Sequence, residues 1–143
     1  MKGHCLYIYI ICLCAALCMS CENKRDDNGD LGGMWQMTEW RDNAGEVVAT
    51  QDDQIYLAFR NQLARFYKMP RGTVDYFLSY FHRDGDSIRF YHIVNYPTDT
   101  IGTNRELLPY GIASTAAMKI EKLSDERLIL SNQETGRITY RKY

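Results

Sequence analysis

Short stretches of alternating apolar and polar residues, separated by turn-forming residues, run from Trp35 to the end of the chain. Such a pattern predicts antiparallel strands with one face in a core. Residues 35–40 open the series and meet a turn at Asp42-Asn43-Ala44-Gly45. Residues 55–60 and 63–69 are predicted to form a hairpin about Asn61-Gln62, and 74–83 and 87–94 another about Asp84-Gly85. Residues 118–123 and 128–131 pair across Ser124-Asp125-Glu126, and 137–142 close the chain. A segment near Val47 or Tyr110 brings the count to about eight or nine strands, with no helix of three turns among them. Consecutive hairpins in that number predict an all-β fold: an antiparallel up-and-down β-barrel of about eight strands, with a small β-sandwich as the alternative. Residues 95–117, interrupted by Pro97 and Pro109, break the alternation; 107–112 is expected as an irregular edge strand and 96–105 as a loop at the mouth.

Register follows from the turns. About Asp84-Gly85, Phe81 is expected opposite Ile88, Ser79 opposite Phe90 and Phe77 opposite His92. One face then carries Phe77, Ser79, Phe81, Ile88, Phe90 and His92, and the other Tyr76, Leu78, Tyr80, His82, Arg89 and Tyr91. The first set is the better interior, because a tyrosine facing outward covers its neighbours with its ring and leaves its hydroxyl in water. Leu57, Phe59, Ala64 and Phe66 fall together in the same way.

The N-terminal region has a different pattern. Met1-Lys2-Gly3-His4 is followed by residues 6–17 without a charge, a basic start and an apolar stretch of about a dozen residues that describe a secretory signal over residues 1–20. At about 1.5 Å per residue this stretch is too short to cross a hydrocarbon layer of about 30 Å. All five cysteines lie at or before residue 21, so a domain freed of its leader contains no disulfide and rests on its apolar core. Ser20-Cys21 resembles the lipobox of bacterial lipoproteins, which implies that Cys21 is acylated and becomes the new N-terminus; a free or intermolecularly paired thiol is the alternative. Residues 22–30 contain no apolar side chain and are expected to be a flexible tether, making residues 21–31 the lipidated N-terminus and 32–143 the domain. Lys24-Arg25-Asp26-Asp27 resembles the acidic sorting tails of surface-exposed lipoproteins in some Gram-negative gut bacteria, with a plain solvated spacer as the other reading. The expected address is therefore the outer membrane, on its periplasmic or its cell-surface face.

Charge narrows the partners. Without the leader the chain has 16 basic and 18 acidic residues, spread singly, which gives no concentrated basic face for nucleic acid. Gly33-Met34-Trp35 matches the Gly-x-Trp signature of lipocalins. The runs Leu108-Pro109-Tyr110-Gly111-Ile112, Met118-Lys119-Ile120-Glu121-Lys122-Leu123-Ser124 and Ile138-Thr139-Tyr140-Arg141-Lys142-Tyr143 are similar to the small lipocalin-like lipoproteins of Gram-negative gut bacteria. The resemblance implies that Gly33 and Trp35 close the base of a barrel, with Arg141 or Arg137 over the tryptophan ring through a cation–π contact. The chain is short for a lipocalin, which implies a shallow or largely filled cup.

Candidate chemistry is sparse. Sixteen aromatic residues follow the leader, and in a small barrel such side chains hold an apolar ligand or simply pack. Phe59, Phe66, Phe77, Phe81, Phe90 and Met118 are the expected lining, with Ser79 and His92 as polar contacts for a small hydrophobic or amphipathic ligand. His82 and His92 are expected on opposite faces and so cannot share a metal. Asp84-Gly85-Asp86 lacks the spacing of a calcium loop and is expected to be a turn. Glu39 alternates with Trp35 and Met37, so an inward carboxylate base is conceivable, but it has no partner. Neither a catalytic motif nor a cofactor site is found, and no enzyme activity is expected. The alternative function is a non-catalytic interaction module, with outward Tyr56, Tyr67, Tyr76, Tyr80 and Tyr91 facing an envelope protein or glycan.

Overall fold

The computed structural model describes residues 28–69, 76–102, 104–112 and 117–143; the leader, Cys21 and most of the expected tether lie outside them. A 3-10 turn, Gly29–Leu31, leads into β1 (Gly33–Arg41). There follow β2 (Val47–Thr50), a 3-10 turn at Gln51–Asp53, β3 (Ile55–Arg60), β4 (Leu63–Lys68), β5 (Tyr76–Asp84), β6 (Ser87–Tyr96) and the short β7 (Thr100–Ile101). One helical turn (Asn104–Leu107) and a 3-10 turn (Leu108–Tyr110) precede β8 (Met118–Leu123), β9 (Arg127–Asn132) and β10 (Gly136–Lys142).

Eight of these strands close an antiparallel barrel. Starting from β1 the hydrogen-bonded neighbours are β3, β4, β5, β6, β8, β9 and β10, and β10 pairs back with β1. The β2 and β3 strands follow one another along the same edge of β1 and act as one interrupted strand, while β7 adds to the edge of β6. Every closing pair lies between Gly33 and Lys142, so the barrel is complete without the leader or tether. Closure leaves no free sheet edge among these eight, which is how an all-β domain avoids edge-to-edge association.

The chain's two kinds of connection define the ends. The β3–β4, β5–β6 and β8–β9 turns gather with Gly29–Leu31 at one end, the base. The turn after β1, the β9–β10 turn and the segment after β7 lie at the other, the mouth, while the Gln51–Asp53 turn interrupts the β2–β3 edge beside the middle of β1. The expected hairpins about Asn61-Gln62 and Asp84-Gly85 both form. The first has the expected register, Leu57 opposite Phe66 and Phe59 opposite Ala64. In the second, Asp84 pairs with Ser87 across Gly85-Asp86, so Phe81 faces Phe90 and not Ile88. That shift is even, and Phe77, Ser79, Phe81, Ile88 and Phe90 are all buried inside as expected.

Three bulges change what faces inward. Leu78 pairs with Val94 but Tyr80 with Tyr91, so β6 carries one extra residue. His92 takes it up with a left-handed φ of 51°, swings outward into solvent, and leaves the interior place to Ile93. Both His82 and His92 are therefore outside, and the expected inward His92 is corrected. An extra residue in β1, between Met37 and Glu39 against Tyr140 and Thr139, turns Glu39 outward and brings Trp40 against the core. A third extra residue lies between Ile120 and Lys122 in β8.

Two boundaries also move. Leu31 is 1% exposed and belongs to the core, so the fold begins before residue 32. Residues 107–112, expected as an edge strand, form the end of the helical turn and a 3-10 turn with Leu107 and Ile112 fully buried.

Candidate ligand-binding site

At the base, Trp35 is fully buried and its Nε1–H donates to the Leu31 carbonyl at 2.8 Å. Strand alternation puts Ile138 and Tyr140 inside and Arg141 outside, and the next inward position is Lys142, which pairs with Trp35 in register. The Lys142 ammonium lies 4.3 Å from the Trp35 ring centre. It donates to the carbonyls of Asp30, at 2.9 Å, and Gly32. Burial lowers the Lys142 pKa, against the raising effect of Asp30 and Asp125. The expected partners of the tryptophan are therefore corrected. Arg141 donates instead to Gln36 Oε1 at 3.0 and 2.6 Å, and Arg137 pairs with Glu121 at 2.7 Å on the outside. Gly33, at φ 104°, sits where a Cβ would press on Lys142 Cε.

Above this base the interior is a packed aromatic cluster. Phe59 meets Phe81 edge-on with ring centres 5.0 Å apart, and Phe66 meets Phe90 edge-on at 5.1 Å. Phe77 and Met118 are also buried, so the expected lining residues are brought together inside the barrel. Ser79 is inside too, but its hydroxyl lies 2.8 and 2.9 Å from the carbonyls of Tyr80 and Tyr91, at the β6 bulge. It stabilises the bulge and is not turned to the cluster's centre.

Toward the mouth the side chains come from the connecting segment. The Tyr110 ring lies 5.9 Å from Phe77 and 6.1 Å from Phe66, and Leu107 and Ile112 are buried beside it. Gly111, at φ 72°, passes so close that a Cβ would collide with Ile138 and touch Trp40. The Trp40 Nε1–H donates to the Thr135 carbonyl at 2.6 Å. Sequence reading missed this cap because Leu107, Tyr110 and Ile112 follow no strand or long-helix period.

A model of the family described as Lipocalin-like domain matches residues 15–143. The chain belongs to that family. A crystal structure of a lipocalin-like protein from Bacteroides uniformis is similar at a TM-score of 0.61 and 22% identity, covering 80% of this chain and 100% of that one. An uncharacterized protein from Bacteroides eggerthii is similar at 0.59 and 25% identity, over 79% of this chain and 99% of that one. A protein from Burkholderia xenovorans solved by NMR shares the fold at 0.55 and 10% identity, over 79% of this chain and 83% of that one. No curated protein matches. A lipocalin-like barrel suggests ligand binding in general, and the Gly33-Met34-Trp35 signature occupies the structural place that the family resemblance implied.

Two outer surfaces complete the lipocalin-like domain. Tyr56, Tyr67, Tyr76 and Tyr96 are register partners on successive strands. Tyr56 stacks on Tyr67 at 5.1 Å and Tyr76 on Tyr96 at 4.6 Å, and the Arg65 guanidinium lies 4.9 Å from the Tyr67 ring and 5.5 Å from that of Tyr76. Much of the ring area is thus covered by neighbours, and Tyr56, expected outward, is only 5% exposed. On the opposite side, a groove of about 820 Å³ runs past Arg41, Asn43, Lys119, Glu121, Asn132 and Arg137. None of its lining side chains is aromatic, and Arg137 is neutralised by Glu121. Arg137 and Ser131 hold the Glu121 carboxyl below the usual carboxylate range. Glu39 is likewise exposed and bonded to Arg41, which lowers its pKa, so it is not poised as a base. Among the described residues, no three His, Cys, Asp or Glu side chains converge as a metal site requires.

Proposed function

We propose that this is a lipid-anchored protein of the cell envelope, attached through Cys21 at the outer membrane, whose barrel binds a small apolar or amphipathic molecule. One observation carries the binding reading. The phenylalanines at the upper end of the interior, Phe66 and Phe77, are met from above by Tyr110, which belongs to a connecting segment and not to a strand of the barrel. Small barrels hold apolar ligands among interior side chains of this kind, at the mouth of the barrel. The protein acts as a binder, not as a catalyst, in keeping with the outward, Arg41-paired position of Glu39. An interaction module for envelope protein or glycan is the second reading, supported by the exposed rings of Tyr80 and Tyr91, 42% and 48% accessible. It is the weaker one, because the longer tyrosine row stacks on itself and offers a sugar little open ring face.

Native mass spectrometry of residues 28–143 after exposure to envelope lipid extract tests the binding reading. A reproducible small-molecule adduct is expected, and a spectrum of bare protein at every lipid load would end it. The anchor is tested by fractionation: Cys21→Ala moves the protein out of the membrane fraction with the domain still folded. Protease treatment of intact cells then distinguishes the surface face from the periplasmic one.

A further inference from the structure

Charges that are spread singly along the chain are sorted by the fold. Among the described residues the strands hold twelve Lys and Arg but three Asp and Glu, namely Glu39, Asp84 and Glu121. Asp42, Glu46, Asp86, Asp125, Glu126 and Glu134 stand instead in turns at the two ends. The barrel thus has a basic wall between acidic ends, although the net charge of the chain is −1.

The two sides of the wall use their cations differently. On the side formed by β1, β10, β9 and β8, Arg41 and Arg137 are paired with Glu39 and Glu121, Arg141 binds Gln36, and Lys142 is drawn to the base. On the side formed by β3, β4, β5 and β6 the one acidic residue is Asp84, at the end of β5, and Lys68 meets Asp53 of the 3-10 turn. Arg60, Arg65 and Arg89 are exposed there and make no ion pair among the described residues.

Open aromatic surface lies between these arginines. Register aligns Arg60, Leu63, Tyr80 and Tyr91 on successive strands, with Arg65 one step toward the mouth and Arg89 one step toward the base. Tyr80 and Tyr91 are exposed, with nearly parallel rings 5.8 Å apart. His92, turned outward by the β6 bulge, adds its ring 6.0 Å from that of Tyr80. At about 4.8 Å between strands, Arg60 and Arg89 stand about 15 Å apart. Cations so separated cannot close together on one small anion. They fit a chain that carries anionic groups at intervals.

We infer that the outer wall of β3, β4, β5 and β6 docks an acidic glycan. Its sugar rings lie on Tyr80 and Tyr91, and its carboxylate or sulfate groups meet the guanidinium forks of Arg60, Arg65 and Arg89. The inference rests on the second reading above, the interaction module, and adds the chemistry of the partner. Single-stranded nucleic acid, with a phosphate on every residue, would find too few cations here. A flat leaflet would touch this convex wall only along a line. The acidic turns repel the polymer from both ends and keep it across the strands.

Affinity electrophoresis of residues 28–143 through gels containing dextran sulfate, polygalacturonate or neutral dextran provides the test. Both acidic polymers should retard the protein and dextran should not. Arg60→Gln with Arg89→Gln is expected to weaken binding at least about tenfold. Tyr80→Thr with Tyr91→Thr should weaken it about threefold, and Lys119→Gln with Arg127→Gln, on the other side, should leave it unchanged. On the unmodified domain, a galacturonate oligomer should shift the NMR amide signals of Tyr80 and Tyr91 but not those of Ile129 and Thr139, a readout that needs no variant to fold. Equal losses from the two sides of the wall would overturn the docking face. Retardation by dextran as strong as by its sulfate, lost in the double tyrosine variant, would refute the acidic class and leave the interaction reading standing. Tighter binding of single-stranded DNA or of phosphatidylglycerol vesicles would overturn the glycan. If no polymer, DNA or vesicle binds at low salt, the inference and the glycan form of the interaction reading fall together.

Discussion

At the base of the barrel Trp35 is fixed by a hydrogen bond to Leu31, by the ammonium of Lys142 and by strand ladders along both edges of β1. At the mouth Tyr110 rests on Phe66 and Phe77 at the end of a segment that has left the sheet. At the base, directional polar contacts specify one arrangement, whereas the ring packing seen at the mouth is less exacting in direction. On the binding function proposed above, the contrast separates a closure built for stability from one suited to exchange.

The largest effect expected is from Trp35→Ala, which should cost about 3–5 kcal/mol in urea unfolding, out of about 5–15 kcal/mol for a domain. Tyr110→Ala, at a half-buried ring, should cost about 1 kcal/mol or less. Equal losses would mean that both ends are structural and would remove the contrast.

Alkaline pH sharpens it next. Burial pushes the Tyr140 hydroxyl well above its usual range, so the folded state keeps it neutral. That contribution is fully present below about pH 10 and is lost as the unfolded chain ionises above it, at up to about 1.4 kcal/mol per pH unit. Unfolding midpoints should therefore fall between pH 10 and 11.5, and Tyr140→Phe should flatten the fall. Lys142 acts with the opposite sign: its lowered pKa means that its desolvation opposes folding at neutral pH and is relieved as it deprotonates.

A smaller loss, about 0.5–1 kcal/mol, is expected for Lys142→Met, with a change in Trp35 fluorescence that Arg141→Ala should not produce. The smallest is Arg137→Ala, whose exposed pair with Glu121 should be worth well under about 1 kcal/mol. A larger loss would show that the outer groove, too, helps hold the barrel closed.

The hairpins and their faces were legible because two-residue turns leave little freedom, and a register shift of two preserves which side chains face in. The bulges were not read, although each leaves the same trace. Inward apolar residues step by two and then by three: Trp35, Met37, Trp40; Ile88, Phe90, Ile93; Met118, Ile120, Leu123. A step of three in a strand is one extra residue, and it displaces Glu39 and His92 from the interior where simple alternation puts them. The choice between Arg141 and Lys142 was also present in the alternation of Ile138 and Tyr140, but the family resemblance pointed to an arginine. The mouth segment left no periodic trace, because its three inward residues lie on short turns packed by tertiary contact.

The route by which the chain enters the barrel sets a polarity. Gly29–Leu31 lies at the base, with Asp30 and Gly32 clasped by Lys142. The eight residues from Glu22 to Gly29 reach at most about 28 Å, at about 3.5 Å per residue. This is close to the length of β1, nine residues at about 3.3 Å each. With acyl chains on Cys21, the domain would stand on its base with the mouth as the pole remote from the leaflet, and inverting it would draw the tether taut. Cargo would then be handed over from the aqueous side or by a facing carrier, not drawn up from the lipids to which such an anchor would fasten the protein.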